Sequence, residues 1–291
     1  MKVAIHGRNI ADKQIANAYS IFDFFVKKGI TPCVYASFLK HLEQATDSKL
    51  NLPTYCHSGE IPSDTDFMVS IGGDGTFLDA ARFVREKNIP LVGVNLGRLG
   101  FLTYISGNDA LSSIEQITTG NFTVEERSML QASGNFFNAK HTPFALNEVT
   151  VQRKGVALIE IAVLVDNEPL SSYWADGLIM ATPTGSTAYS MSAGGPIVAP
   201  CTRAIILSPI APHNLSVRPI VVPDSSTIKV NVATREGKAL LAIDNQKFEV
   251  DSGTSFEVKK SQHAIKMLKP ANSNFYRTLR NKLFWGVDPR S

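Results

Sequence analysis

The chain has 291 residues, 44% hydrophobic and 19% charged, with 29 lysines and arginines against 26 aspartates and glutamates for a net charge of +3. That length predicts about two domains, and the apolar fraction supports a sizeable core and excludes a disordered chain. The mild basicity makes no case for nucleic acid, and no apolar run approaches the ~20 residues that span a bilayer.

The N-terminal "MKVAIHGRN" reads as a first strand, not a signal peptide. Cys33, Cys56 and Cys201 are widely spaced, without a CxxC pair, and fit a reducing compartment. A soluble cytoplasmic protein is expected, with neither nucleic acid nor membrane as partner.

In chain order, Val3–His6 is a short apolar strand. Ile15, Ala18, Tyr19, Phe22 and Val26 follow at helical spacing, and Gly29 closes that helix. Cys33–Ala36 reads as a second strand. Asp66–Ile71 reads as another, with the helix Phe77–Val84 behind it, and Pro90–Val94 as a further strand. Such alternation predicts a parallel sheet with helices on its faces.

After about Tyr104 the pattern changes. A helix over Asp109–Thr118, ended by Gly120, gives way to strands and tight turns. "EIAVLVDNEPL" reads as a hairpin turning at Asp166-Asn167. "TIKVNVATREGKALLAID" alternates on both sides of Glu236-Gly237, and "FEVDSGTSFEVKK" repeats that arrangement. "NFYRTLRNKLFW" returns to helical spacing through Phe275, Leu279 and Leu283, with Arg277, Arg280 and Lys282 as a solvated face. The expectation is an α/β domain over residues 1–105, a β-rich, sandwich-like domain over 106–271, and a C-terminal helix within 272–291.

Three segments carry chemistry. In "MVSIGGDGTFLDAAR" an apolar strand runs into Gly72-Gly73-Asp74-Gly75 and then a helix. Glycines admit positive φ and close ligand approach, and a strand–turn–helix of this kind aims N–H groups at an anion such as phosphate. A carboxylate beside that anion is electrostatically awkward unless a metal ion or a substrate hydroxyl joins it. That combination is what phosphoryl transfer to an alcohol requires. The plainer reading has Asp74 capping the helix. Neither GxxxxGK[ST] nor GxGxxG after the first strand is present.

In "ALNEVTVQR", Asn147 can pair with a purine edge and Glu148 can accept from ribose hydroxyls or a ring amine; both could equally end a turn. "WADGLIMATPTGSTAYSMSAGGP" gathers Asp176 and a run of small and hydroxyl residues around Tyr189, which leaves room and donors for a flat ring. A structural loop packed through small residues is the alternative.

Together, GGDGT (Gly72–Thr76), NEVTV (Asn147–Val151) and DG…TPTGSTAYS…SAGGP (Asp176–Pro196) resemble the NAD kinase family. So do "GVNLGRLGFL", "PHNLSVRP" and "YRTLRNKL", from about Val3 to Trp285. The resemblance implies transfer of the terminal phosphoryl of ATP, with a divalent metal such as Mg²⁺, or of polyphosphate, to the 2′-hydroxyl of the adenosine ribose of NAD. It implies Asp74 as the catalytic proton acceptor, Gly75 as its backbone partner, and Asn147, Glu148, Asp176, Thr187, Ala188, Tyr189, Ser190, Ser192 and Gln246 as NAD contacts. It also implies a last helix that returns to the first domain, and homodimers or homotetramers. Two departures stand out: Trp174 where a polar residue is common, and Asp244-Asn245-Gln246 where Asp-Gly-Gln is common, with Asn245 expected to take the left-handed turn. GGDG is shared with lipid and sugar kinases, and a non-catalytic nucleotide sensor would keep the same pocket, so both alternatives stand at this point.

Overall fold

The computed structural model describes residues 1–47, 49–97, 100–137, 143–271 and 273–284. Arg98 and Leu99 of the glycine-rich segment, and Trp285, therefore lie outside the described residues. Two compact units divide the chain: Met1–Glu126 together with Ile265–Ser291, and Arg127–Ala264.

The first unit is an α/β unit. It contains β1 (Val3–Gly7), α1 (Asp12–Lys27), β2 (Cys33–Tyr35), α2 (Ala36–Thr46), β3 (Thr54–Tyr55), β4 (Phe67–Ile71), α3 (Asp74–Val84), β5 (Leu91–Asn95), β6 (Ile105–Ser106) and α4 (Ala110–Thr118). The strands run parallel in the spatial order β3-β2-β1-β4-β5, with β6 beside β5. Every residue of β1 and β4 is buried, which is why they read as unbroken apolar runs rather than alternating ones. The order reverses between β1 and β4. In open α/β sheets the crevice at the carboxyl ends of the strands, at such a reversal, is the place for ligands. Gly72, Gly73 and Asp74 follow β4 at that end.

Three local expectations shift. α1 buries Ile15, Ala18, Ile21, Phe22 and Phe25, whereas Val26 is exposed. Phe25 takes the core side because its ring packs near Phe67, with centroids 6.4 Å apart. Ala36 starts α2 instead of ending β2; Phe38, Leu39 and Leu42 bury one face of that helix. Finally, α4 sends Ala110, Ile114 and Ile117 into the same core as α1, so the first unit extends to Glu126 and not to 105. Loss of β/α alternation suggested the earlier boundary, but shared burial decides which unit a helix joins.

The strand β7 (Phe122–Ser133) leads into the second unit, which holds β8 (Phe144–Ala145), β9 (Glu148–Arg153), β10 (Ile159–Val165), β11 (Glu168–Ala175), β12 (Gly177–Ala181), the short α5 (Tyr189–Ser192), β13 (Ala204–Ile210), β14 (Ile220–Pro223), β15 (Ile228–Ala233), β16 (Lys238–Ile243) and β17 (Gln246–Asp251). β18 (Thr254–Pro270) leaves it. One antiparallel layer runs β11-β10-β15-β18 and the other β14-β13-β12-β9-β16-β17. Their facing side chains form a sandwich core that includes Val149, Val151, Leu178, Met180 and Leu241 from one layer and Ile159, Ile161, Val230 and Phe256 from the other. The opposite face of β12, through Ile179 and Ala181, is covered by Ala193 and Val198, so β12 is buried on both sides.

The hairpin at Asp166-Asn167 forms as expected, with φ of 52° and 72°, the left-handed pair that a two-residue turn of this twist demands. The alternating stretches around Glu236-Gly237 are strands, but they do not pair with each other. β15 lies between β10 and β18, while β16 lies between β9 and β17, so the chain changes layer at that turn and again at Ser252-Gly253. α6 (Phe275–Leu283) ends the described chain within the first unit, where the Asn274 side chain caps it by accepting the Tyr276 N–H at 2.8 Å. No helix among the described residues is long and apolar enough to cross a membrane.

Candidate active site

Asp74 is the first residue of α3, with Gly73 as the N-cap and Gly72 at a φ of 148°. A Cβ at Gly72 would run into Thr76, so the turn requires glycine there. The Asp74 side chain does not cap its own helix. It reaches the segment after the glycine-rich loop, where Oδ2 accepts the Phe101 N–H at 2.9 Å and Oδ1 accepts the Leu102 N–H at 3.1 Å and the Thr103 hydroxyl at 3.3 Å. Gly100 makes this possible, since any Cβ there would overlap the carboxylate. The carboxylate is thus held by three donors at the positive end of a helix, with part of its surface still open. The electrostatic problem posed by the sequence is answered in part by backbone N–H groups. Lys282 of α6 stands beside it, Nζ 3.7 Å from Oδ2.

The second unit brings three distant segments together. The Asp244 carboxylate accepts the N–H groups of Leu146 at 2.8 Å, Asn147 at 2.9 Å and Glu148 at 3.1 Å. Thr182 donates its hydroxyl to the Leu146 carbonyl at 2.6 Å and its N–H to the Asn147 carbonyl at 2.8 Å, and its hydroxyl accepts the Gly185 N–H at 3.0 Å. A Cβ at Gly185 would collide with the Asn147 backbone. The Asn-Glu segment, the Thr184–Ser192 segment and the Asp244–Gln246 turn therefore form one hydrogen-bonded block.

Within that block the Asn147 amide is nearly buried and makes no hydrogen bond among the described residues. Glu148 Oε2 is buried without a partner. Burial, reinforced by the Asp244 charge, pushes the Glu148 carboxyl up to about 8. At neutral pH it carries its proton, so it can donate as well as accept.

The profile of the ATP-NAD kinase N-terminal domain matches residues 3–122, and that of the ATP-NAD kinase C-terminal domain matches residues 146–269. The chain belongs to the ATP-NAD kinase family. Curated NAD kinases of Bacteroides fragilis and Flavobacterium johnsoniae are 41% and 39% identical to it, each alignment covering 100% of both chains. Among solved structures, yeast NADH kinase complexed with NADH matches with a TM-score of 0.86 at 25% identity, over 99% of this chain and 89% of the other. An NAD kinase from Archaeoglobus fulgidus in complex with ATP matches with a TM-score of 0.74 at 26% identity, over 98% and 99%.

The other positions that the ATP-NAD kinase resemblance suggested differ in what they are free to do. Gly75 is in α3 with open space where a Cβ would stand. Asp176 is already engaged by Arg153, Nε to Oδ1 at 2.6 Å and Nη2 to Oδ2 at 3.2 Å. Thr187 donates to the Thr184 carbonyl at 3.2 Å. Ser190 is fully buried, its hydroxyl paired with that of Ser208 at 2.9 Å. Ala188 links a 3₁₀ turn to α5; Tyr189 and Ser192 are exposed; the half-buried Gln246 amide has no partner among the described residues. Trp174 is 45% exposed on β11, an edge strand, and in the Asp244–Gln246 turn the left-handed residue is Asp244, at 49°, not Asn245.

Gly100, Phe101, Leu102 and Thr103 carry no sequence pattern that ties them to Asp74, although the "GVNLGRLGFL" glycines mark a loop. Nor does any local signal point to Thr182, or to Arg127, which is 2% exposed and donates to the Thr184 hydroxyl at 3.2 Å.

Proposed function

We infer that this chain transfers the terminal phosphoryl of ATP to the 2′-hydroxyl of the adenosine ribose of NAD, giving NADP. The observation that carries the chemical reading is the Asp74 carboxylate, fixed at the sheet reversal by the Phe101 and Leu102 N–H groups and the Thr103 hydroxyl, with room left for one more donor. In this reading the ribose hydroxyl is that donor. Its oxygen forms the new bond to the terminal phosphorus, the bond from that phosphorus to the ADP oxygen breaks, and the hydroxyl proton passes to Asp74. Little covalent work falls on the protein in such transfers; positioning and charge dominate.

Asn147, Glu148 and Gln246 bring unpartnered polar groups to the NAD side, and Asp176, Thr187, Ala188, Tyr189, Ser190 and Ser192 surround them in the same reading. The occupied hydroxyls of Thr187 and Ser190 favour contacts through backbone and shape at those two positions. The binding of NADH by the yeast neighbour and of ATP by the archaeal one supports a dinucleotide acceptor and a nucleotide donor.

The divalent ion belongs to the donor substrate in this proposal. Among the described residues no group of three His, Cys, Asp or Glu side chains could hold a metal, and Mg²⁺ commonly rides on nucleotide phosphates with few protein ligands. Bound there, it neutralises phosphate charge. A cytoplasmic homo-oligomer completes the proposal, with the free thiols of Cys33, Cys56 and Cys201 supporting a reducing location. The test is NADP formation from NAD by the purified chain, with ATP or polyphosphate as donor and Mg²⁺ present. NADP from either donor is the expected result, and its absence with both removes the proposal.

A further inference from the structure

The basic residues of α6 read in the sequence as a solvated face, yet one of them is not placed like the others. Lys282 lies 208 positions after Asp74, and its Nζ stands 3.7 Å from Asp74 Oδ2. The same ammonium sits 4.5 Å from the centre of the Phe101 ring, whose own N–H donates to that carboxylate. At 3.7 Å the pair is a charge contact and not a hydrogen bond. No other hydrogen bond or ion pair of Lys282 occurs among the described residues, so its N–H donors are uncommitted while its position is held by a ring face and an opposite charge. Arg8, a further cation in this unit, is paired with Asp79.

Resting on the reading of Asp74 as the group that meets the ribose hydroxyl, the reaction gathers like charge at this point: a carboxylate, the terminal phosphoryl oxygens and the departing ADP. Negative charge there is countered by the α3 N-terminus and by Lys282. We propose that Lys282 is a phosphoryl-binding residue, its ammonium moving from the resting charge contact with Asp74 to hydrogen-bond the terminal phosphate of ATP and hold it against the acceptor. A compact point charge on a flexible stem suits that task. The contact with Asp74 keeps the ammonium at the site when no nucleotide is bound.

The experiment compares the full-length parent, Lys282→Met and Lys282→Arg, measuring NADP formation across ATP and NAD concentrations, melting temperature, and rescue of Lys282→Met by added ethylammonium. The expected result for Lys282→Met is a kcat lower by about 10²-fold, the scale seen when one charge-stabilising donor is lost. Its NAD KM should stay within about twofold and its melting temperature should hold. Lys282→Arg should recover much of the loss, and ethylammonium part of it. Lys282→Met turning over like the parent overturns the inference, as does a loss of activity that tracks a lowered melting temperature and is rescued by neither arginine nor ethylammonium. A parent that makes no NADP from any donor removes the kinase reading itself, which separates that failure from failure of the lysine's role.

Discussion

The Asp244 carboxylate accepts the backbone N–H of Asn147 at 2.9 Å across 97 positions of sequence, and takes the N–H groups of Leu146 and Glu148 on either side as well. One side chain in a hairpin turn thereby sets the backbone of the Asn-Glu segment. Asp244→Ala leaves three N–H groups without their acceptor, and hydrogen bonds to a charged group are each worth about 1.5–3 kcal/mol. The variant should lose about 4 kcal/mol or more of unfolding free energy in urea and show a raised NAD KM. Unchanged values of both would mean that the turn does not hold the segment.

Asp74→Asn keeps the side-chain shape but presents an amide NH₂ to a backbone donor and removes the proton acceptor. Turnover should fall about 10²-fold or more, with NAD affinity kept. NADP formation and calorimetry with NAD check the two halves of that statement, and near-parental turnover would rule out Asp74 as the acceptor of the hydroxyl proton.

Gly100→Ala tests the cradle without touching Asp74. The added methyl overlaps the carboxylate and the Thr103 hydroxyl, so the carboxylate has to leave its place. A displacement on the order of 1 Å costs about 10²-fold in a positioned reaction. The expected phenotype is a low kcat in a chain whose circular dichroism matches the parent.

Glu148 makes stability depend on pH. The unfolded chain releases this proton near the ordinary carboxylate value of 4.5, whereas the folded chain holds it up to about 8 because the site is buried and faces Asp244. Between those values the folded state binds more protons than the unfolded, so the unfolding free energy falls as pH rises through this window. Glu148→Gln removes that dependence. Melting curves from pH 4 to pH 9 should show the variant gaining on the parent toward alkaline pH; parallel curves would contradict the buried, protonated carboxyl.

Local signals sufficed wherever the cause was local. β1, β4 and β5 were legible because strands buried on both faces must be continuously apolar, and the Asp166-Asn167 turn because few residues tolerate two left-handed positions in succession. The Gly72-Gly73 turn before Asp74 belongs with these. Helix faces were less secure: Val26 fits the α1 period as well as Phe25 does, and only packing against Phe67 decides between them.

What tertiary structure alone decided is which distant groups meet. Alternation marks β15 and β16 as strands but carries no record of the partner each will pair with, so a layer change reads the same as a hairpin. In the same way, the sequence by itself offered Asp74, Asn147 and Glu148 as candidates on the strength of their residue types and motifs. Chain closure over tens to hundreds of positions supplied the Phe101 and Leu102 N–H groups, the Lys282 charge and the Asp244 clamp. Residue type sets what a side chain can donate or accept, whereas its charge state, its open lone pairs and its neighbours are properties of the folded surroundings.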